Sequence, residues 1–156
     1  EADYNVGSTI ADIAQDKAGA LNIIDAAIKR LHAVLATGDD AALEMRLIVL
    51  LGERALILDS LGRSEEAAEV SGQQIAMREA RLSAQPGDVT RKRDLVVALA
   101  SHAELLAKVG QRDHACSAIL RGLGLMDELA SGTDLSERDR RTEYAKFNAA
   151  RGRYCS

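Results

Sequence analysis

Apolar and polar residues alternate along most of the chain with the three- and four-residue spacing of amphipathic helices. The pattern predicts an all-α chain of seven helices, near 4–14, 16–36, 40–61, 64–84, 89–109, 112–130 and 135–152. Gly38, Gly87 and Gly132 interrupt it, each followed within two residues by aspartate. Glycine can end one helix in a left-handed conformation and aspartate can cap the next, so these breaks predict antiparallel hairpins.

The helical pattern repeats three times. Ala20, Ala67 and Ala115 lie at successive offsets of 47 and 48 residues, and the last two each follow a glycine, Gly62 or Gly110, by five positions. A recurring helix, tight turn and second helix predicts an α-solenoid of three hairpins, a class of fold that builds binding surfaces. We expect a single domain over 1–156, with repeats at about 1–37, 38–86 and 87–132 and a C-terminal capping helix at 133–153.

The order of small and large residues within these repeats resembles the tetratricopeptide pattern. The third repeat carries it at Leu99, Ala103, Leu106, Gly110, Ala115 and Ile119, and the second at Leu51, Ala55, Leu58, Gly62 and Ala67. Alanine lets two helix backbones approach while leucine fills the groove beside it. The signature tryptophan and tyrosine are replaced by leucine, and the interval exceeds the usual 34 residues.

The long interval, together with segments 77–88, 91–95 and 129–139, resembles the long-helix tetratricopeptide tails of bacterial serine/threonine protein kinases. The resemblance implies a regulatory tail that recruits partners or senses signals, sometimes on the periplasmic side of a membrane and otherwise in the cytoplasm. None of the signatures of the kinase itself is present. We therefore expect a non-catalytic protein–protein interaction or sensing domain. The alternatives are a dimerisation scaffold and a stand-alone tetratricopeptide adaptor.

The first repeat is shorter than the others at its N-terminal end. Only about fourteen residues precede Gln15, the position in the first repeat that corresponds to Gly62 and Gly110. The first helices of repeats two and three run for about twenty residues. We expect the chain to be part of a longer protein whose preceding segment completes that helix. The alternative is an atypical N-terminal cap.

Composition and charge narrow the class of partner. Hydrophobic residues make up 47% of the chain, aromatic residues 3%, and there is one proline, which is typical of stacked helices. The net charge of −4 argues against nucleic acid as a partner. No apolar run reaches the roughly 18 residues that cross a bilayer, so we expect no direct membrane insertion by this segment.

The residues that contact a partner are predicted from helical phase. In the family that the chain resembles, the first helix of each repeat lines the concave surface. The candidates are Arg46, Glu53 and Asp59 in the second repeat, and Arg93, Ser101, Glu104 and Lys108 in the third. Such a mixed-charge face suits a polar peptide or protein ligand, but any solvated helix face has the same composition.

The sequence holds no recognisable catalytic, cofactor or metal motif. His32, His102 and His114 lack the i, i+4 spacing that directs two imidazoles at one metal. His102 occupies a position that is usually leucine in the motif, so we expect it to be partly buried. Gly122 and Gly124 lie inside a helical pattern, where we expect them to permit close packing or bending and not to bind phosphate.

Cys116 follows the repeat alanine, where a small buried residue fits, so we expect it to pack in the core. A disulfide to Cys155 stays open as an awkward alternative. At 1.5 Å per residue, Cys116 lies about 24 Å before the turn at Gly132, and Cys155 about 35 Å after it. In the last predicted helix, Tyr144 and Phe147 are expected to pack onto the sixth predicted helix, near 112–130, and to seal the end of the array. The alternative is that they dock a partner or a second copy.

Overall fold

The computed structural model describes residues 16–132 and 136–155, with the backbone alone for Glu137, Asp139 and Arg140. All regular structure in these ranges is helical, as predicted. The helices are α1 (Lys17–Leu35), α2 (Ala41–Ser60), α3 (Ser64–Ala84), α4 (Val89–Lys108), α5 (Arg112–Ser131) and α6 (Glu137–Tyr154). Six predicted helices are confirmed to within two residues at each end. The helix predicted at 4–14 lies outside the described residues.

Packing divides the chain into two compact units, Glu1–Gln74 and Ile75–Ser156. The division falls inside α3, which is one continuous helix. The N-terminal part of α3 therefore belongs to the unit of α1 and α2, and its C-terminal part to the unit of α4, α5 and α6. The single repeat domain that we expected over 1–156 stays a prediction.

In the first unit, each helix runs antiparallel to the one before it. Near the turn between α2 and α3, the Ser64 hydroxyl donates to Asp59 Oδ1 at 2.7 Å. Away from the connection between α1 and α2, Arg54 Nε on α2 donates to Asp25 Oδ1 on α1 at 2.6 Å. The facing sides bury an apolar core whose least exposed members include Ala20, Ile24, Leu47, Ile48, Leu58 and Ala67.

Gln74 is a buried polar residue that ties α3 to α2. Its Nε2 donates to the backbone carbonyl of Ile48 at 3.0 Å, and the side chain is 9% exposed. The amide occupies the space that a Cβ on Gly52 would need. A buried amide without a partner costs roughly 1–3 kcal/mol, so this hydrogen bond is what allows a glutamine inside the array.

The turns at Gly62 and Gly110 have the same geometry. The two glycines have φ values of 78° and 82°, in the left-handed region where a side chain is strained. In each turn the residue after the glycine donates its N–H to the carbonyl of a leucine five positions earlier, at 2.9 and 2.8 Å. These are the hydrogen bonds of a Schellman motif, which ends a helix and reverses the chain within a few residues.

The three repeat alanines also have equivalent environments. Ala20, Ala67 and Ala115 are each 0% exposed. Each donates its backbone N–H, at 3.0 Å, to the carbonyl of the residue just before its helix begins. The alanine is therefore the fourth residue of α1, α3 and α5 alike. The expectation that the recurring small residues lie at helix contacts is confirmed.

The connections between repeats differ from the expectation in one respect. Asp40 and Asp88 cap α2 and α4 as predicted, since Asp40 Oδ1 accepts from the N–H of Ala42 and Leu43, and Asp88 Oδ1 accepts from Arg91. Among the described glycines, however, a positive φ occurs at Gly62 and Gly110 alone. The left-handed conformation predicted for the glycines of the other breaks was wrong. The two such connections that the structure describes in full are five and four residues long, and their glycines have no positive φ. The reciprocal cap predicted at Asp134 lies outside the described residues.

In the second unit, neighbouring helices are again antiparallel. Arg91 on α4 donates to the Arg81 carbonyl on α3. Lys92 Nζ lies 2.9 Å from Glu128 Oε2, which joins the start of α4 to the end of α5. One core extends through these helices, and its least exposed residues include Leu95, Leu99, Ala103, Ile119, Leu125, Met126, Leu129 and Phe147.

The aromatic residues of α6 seal this core, as predicted. Phe147 is 1% exposed, and its ring lies against α5 at Gly122. The Tyr144 hydroxyl donates to Asp127 Oδ1, also on α5. Tyr144 precedes Phe147 on α6, whereas its partner Asp127 follows Gly122 on α5, so α6 runs antiparallel to α5.

Cys116 and Cys155 form a disulfide whose Cα atoms are 4.9 Å apart. This corrects the expectation that Cys116 only packs in the core. The expectation measured the return path from Gly132, whereas α6 begins at Glu137. At 1.5 Å per residue, the helical path is about 22 Å from Cys116 to the end of α5 and about 27 Å from the start of α6 to Cys155. The two arms are therefore close in length, and the sulfurs meet.

Gly122 is required for Phe147 to reach α5. A Cβ at Gly122 would collide with the buried ring, whereas a Cβ at Gly124 would meet open space. We expect Gly122→Ala to lower the free energy of unfolding by about 1–3 kcal/mol, because the ring has no room to move. Gly124→Ala, the matched control, should raise it by up to about 1 kcal/mol, because alanine favours helix. Urea denaturation followed by circular dichroism measures both. A Gly122→Ala protein as stable as the wild type would contradict this view of the contact.

Candidate interaction surface

One side of α4 is exposed along the whole helix. Its members lie at helical spacing, and the stripe, called here the α4 stripe, consists of Arg93, Val97, Ser101, Glu104 and Lys108. The opposite side is buried in the core of the second unit through Leu95, Leu99 and Leu106. All four contact residues predicted for the third repeat therefore lie together on one rigid, solvent-facing surface.

Val97 was missed by the sequence prediction. It is 64% exposed and lies on the α4 stripe between Arg93 and Ser101, one helical turn from each. Its signal was present, because Val97 is four residues after Arg93 and four before Ser101 and so shares their side of the helix. The prediction considered polar residues alone and passed over an apolar one in the same phase.

The α4 stripe carries both signs of charge. Arg93 and Lys108 supply positive charge at its two ends, and Glu104 supplies negative charge between them. Glu104 precedes Lys108 by four residues, the order that favours pairing along a helix. The stripe therefore offers an apolar contact flanked by charged and hydrogen-bonding groups.

The candidates of the second repeat are only partly brought together. Arg46 and Glu53 share one side of α2, where Arg46 is exposed and Glu53 half-buried. Leu56, 60% exposed, lies on the same side and was also missed. Asp59 lies on a different side of the helix and accepts the Ser64 hydrogen bond, so its carboxylate serves the turn.

His102 is half-buried on α4, as expected. Burial lowers the pKa of its imidazole below the ordinary value of 6.5, and the charge of nearby His114 lowers this pKa further. The unfolded chain therefore takes up a proton at His102 at a higher pH than the folded chain does. The contribution of the neutral His102 side chain to the free energy of unfolding is therefore fully present above the ordinary pKa. It is lost as the pH falls through and below that value.

We therefore expect the melting temperature to fall as the pH is lowered from 7.5 to 5.5, with His102→Gln reducing that fall. Thermal denaturation followed by circular dichroism at several pH values measures it. The matched control is His32→Gln at an exposed position on α1, a variant in which His102 is intact and the acid sensitivity should persist. An unchanged pH dependence in His102→Gln would assign the effect to other groups.

Within residues 16–132 and 136–155, no group of three histidine, cysteine, aspartate or glutamate side chains could hold a metal ion. The described helices also include none that is both long and apolar enough to span a bilayer.

Comparison of the chain with protein-family models, with curated proteins and with solved structures finds no match. The internal repeat is instead visible within the chain itself. The second and third copies share the glycine turn with its hydrogen bonds, and all three share the buried alanine. These equivalences define an all-α protein with recurring helical hairpins.

Proposed function

We propose that this chain is a non-catalytic protein–protein interaction domain of tetratricopeptide type that binds a peptide or protein ligand along the α4 stripe. The recurring hairpins support this proposal, because such arrays hold long helix faces rigid and open to solvent. The parent that we propose is a bacterial signalling protein, such as a serine/threonine kinase, in which the domain is a regulatory tail.

The observation that carries the proposal is the exposure of Val97 within the α4 stripe. A single exposed valine is ordinary on a protein surface. Here it lies between Arg93 and Ser101 in a row of polar and charged residues, on a helix whose other side is core. An apolar contact bordered by polar groups is the usual anatomy of a protein–protein interface.

The stripe favours a ligand with a matching pattern. We propose a peptide segment that places an apolar side chain against Val97, a carboxylate toward Arg93 or Lys108, and a cation or amide toward Glu104. Burial of the apolar contact provides affinity, and the flanking charges select among sequences. Because exposed charges are screened by salt, binding should weaken as ionic strength rises.

Selection from a peptide display library against the wild-type domain, followed by calorimetry of the selected peptides, tests the proposal. We expect Val97→Glu to weaken binding at least tenfold, which corresponds to about 1.4 kcal/mol. Leu120→Glu is the matched control, because Leu120 is 50% exposed but lies on α5, outside the stripe. This control should change affinity less than twofold.

Two outcomes would count against the proposal. If no peptide is enriched, or if both variants weaken binding equally, the α4 stripe is not the binding surface. Sedimentation of the free domain distinguishes ligand binding from the alternative function, dimerisation. A mass that doubles with concentration, and that Val97→Glu returns to the monomer value, would assign the stripe to self-association instead.

The attachment to a kinase has its own test. The coding sequence upstream of Glu1 should contain a protein kinase domain, with a membrane-spanning segment between the two. Disulfides persist mainly in oxidising compartments, so the Cys116–Cys155 bond supports a periplasmic location over a cytoplasmic one. An upstream sequence without a kinase domain would contradict the proposed attachment to a kinase, but it would not affect the proposal that the domain binds a protein or peptide.

A further inference from the structure

We propose that the Cys116–Cys155 disulfide is a redox-controlled latch, which holds α6 over a groove on α5 and releases α6 when a dithiol reduces it. The bond joins the first turn of α5 to the end of α6. It therefore closes the hairpin at the end away from the chain connection between the two helices. The proposal does not depend on which partner the α4 stripe binds.

Little else holds α6 in place. Among its described side chains, Phe147 and Ala150 alone are buried, whereas α5 buries eight residues. The half-buried rings of Tyr144 and Tyr154 also pack against the core. These few contacts provide a weak hold on an 18-residue helix, because ordering each residue costs conformational entropy. The covalent bond offsets part of that cost, because it also keeps the two cysteines together in the unfolded chain.

The polar contacts of α6 with α5 are exposed. Tyr144 donates to Asp127 at the surface, and Arg112 Nη2 donates to the Arg153 carbonyl at 2.6 Å, also at the surface. Water competes for such groups, so they add little once the helix is free to leave. Packing of Phe147 against Gly122 is then the main contact that remains.

The chemistry of release is thiol–disulfide exchange with a dithiol. Both cysteines are half-buried, so neither lies in the fully buried core. A reductant thiolate attacks one sulfur of the bond and forms a mixed disulfide, while the other cysteine leaves as a thiolate and takes up a proton. The second thiol of the reductant then attacks the reductant sulfur of the mixed disulfide and releases the first cysteine. Two electrons and two protons pass to the cysteine pair, and the reductant departs as a disulfide.

Release uncovers a groove of known shape. Gly122 leaves a gap in the surface of α5, which the Phe147 ring fills in the closed state. Ile119 and Met126 lie about one turn to either side on α5 and belong to the same core. The occupant of this groove is therefore α6 itself, and a separate peptide with the α6 sequence should compete for it only after reduction.

Hydrogen exchange read by mass spectrometry tests the latch in the whole chain. We expect amides of α6 to be accelerated by dithiothreitol at least tenfold more than amides of α4, because release of α6 adds to any loss of stability of the whole unit. Cys155→Ala should show the fast α6 pattern without reductant. Equal exchange of α6 in both states would overturn the proposal. Acceleration of α4, α5 and α6 by the same factor would also overturn it, because the disulfide would then be a staple for the whole unit.

A synthetic peptide of residues 137–154, labelled with a fluorophore, provides a second measurement. By fluorescence anisotropy, it should bind Cys155→Ala and the reduced wild type, and should bind the oxidised wild type at least tenfold more weakly. The matched control peptide carries Phe147→Ala and should not bind either form. Binding that is independent of redox state, or of Phe147, would contradict an uncovered groove.

Discussion

Replacing Phe147 with alanine should lower the free energy of unfolding of the oxidised protein by about 3–5 kcal/mol, the largest effect of any single side chain on α6. Its ring is 1% exposed and fills the space above Gly122. Truncation removes the apolar contact and leaves a cavity between helices that the disulfide prevents from separating. Urea denaturation followed by circular dichroism, under non-reducing conditions, measures the loss.

Lys146→Ala is the matched control for this substitution. Lys146 is the neighbouring residue on the exposed side of α6, and its Nζ lies 2.9 Å from Glu143 Oε1 in a surface ion pair. Such pairs contribute at most about 1 kcal/mol. If Phe147→Ala destabilised the protein no more than Lys146→Ala does, the ring could not be the main contact between α5 and α6.

Removing the disulfide should have an effect of similar size. Cys116→Ala and Cys155→Ala should each lower the free energy of unfolding by roughly 4 kcal/mol, because the bond closes a loop with a sequence separation of 39 residues. The loss comes from the greater freedom of the unfolded chain. Denaturation of each variant and of the wild type, with and without dithiothreitol, measures it.

The double variant is the informative control for the disulfide. Because both substitutions break the same bond, Cys116→Ala with Cys155→Ala should lose no more stability than either variant alone. Reduced wild type should match all three. Losses that add up in the double variant would mean that each cysteine contributes by packing, as first expected for Cys116.

Most of the fold could be predicted from the sequence, because the signals are local. Leucine and alanine at helical spacing marked six helices, and Asp40 and Asp88 marked two helix starts. The recurrence of glycine at Gly62 and Gly110 predicted the positions of the turns, although the left-handed conformation had been assigned to other glycines. That error has a physical reason: composition marks a break in the helix, but the length of the connection decides whether the backbone needs a positive φ.

The disulfide and the exposure of Val97 on the α4 stripe depend on information that is not local. Whether Cys116 meets Cys155 depends on where α6 begins, and a shift of a few residues changes the balance of the two arms by several ångströms. Helical phase is a local signal, and Arg93, Ser101, Glu104 and Lys108 share one exposed side of α4, but the exposure of Val97 follows from what covers the helix. Asp59 was chosen by the same phase, and its carboxylate accepts a hydrogen bond from Ser64 at the turn.

The amide of Gln74 has a consequence for the alignment of α2 and α3. Its hydrogen bond to the Ile48 carbonyl requires a glycine at position 52, and a slip of one turn along α2 would bring the amide against bulkier side chains. Apolar contacts alone tolerate such slippage, since one leucine replaces another. A single buried hydrogen bond thus fixes the register of α2 and α3, because their apolar faces alone would allow more than one alignment. Anyone who builds longer arrays from this repeat should transfer Gly52 and Gln74 together.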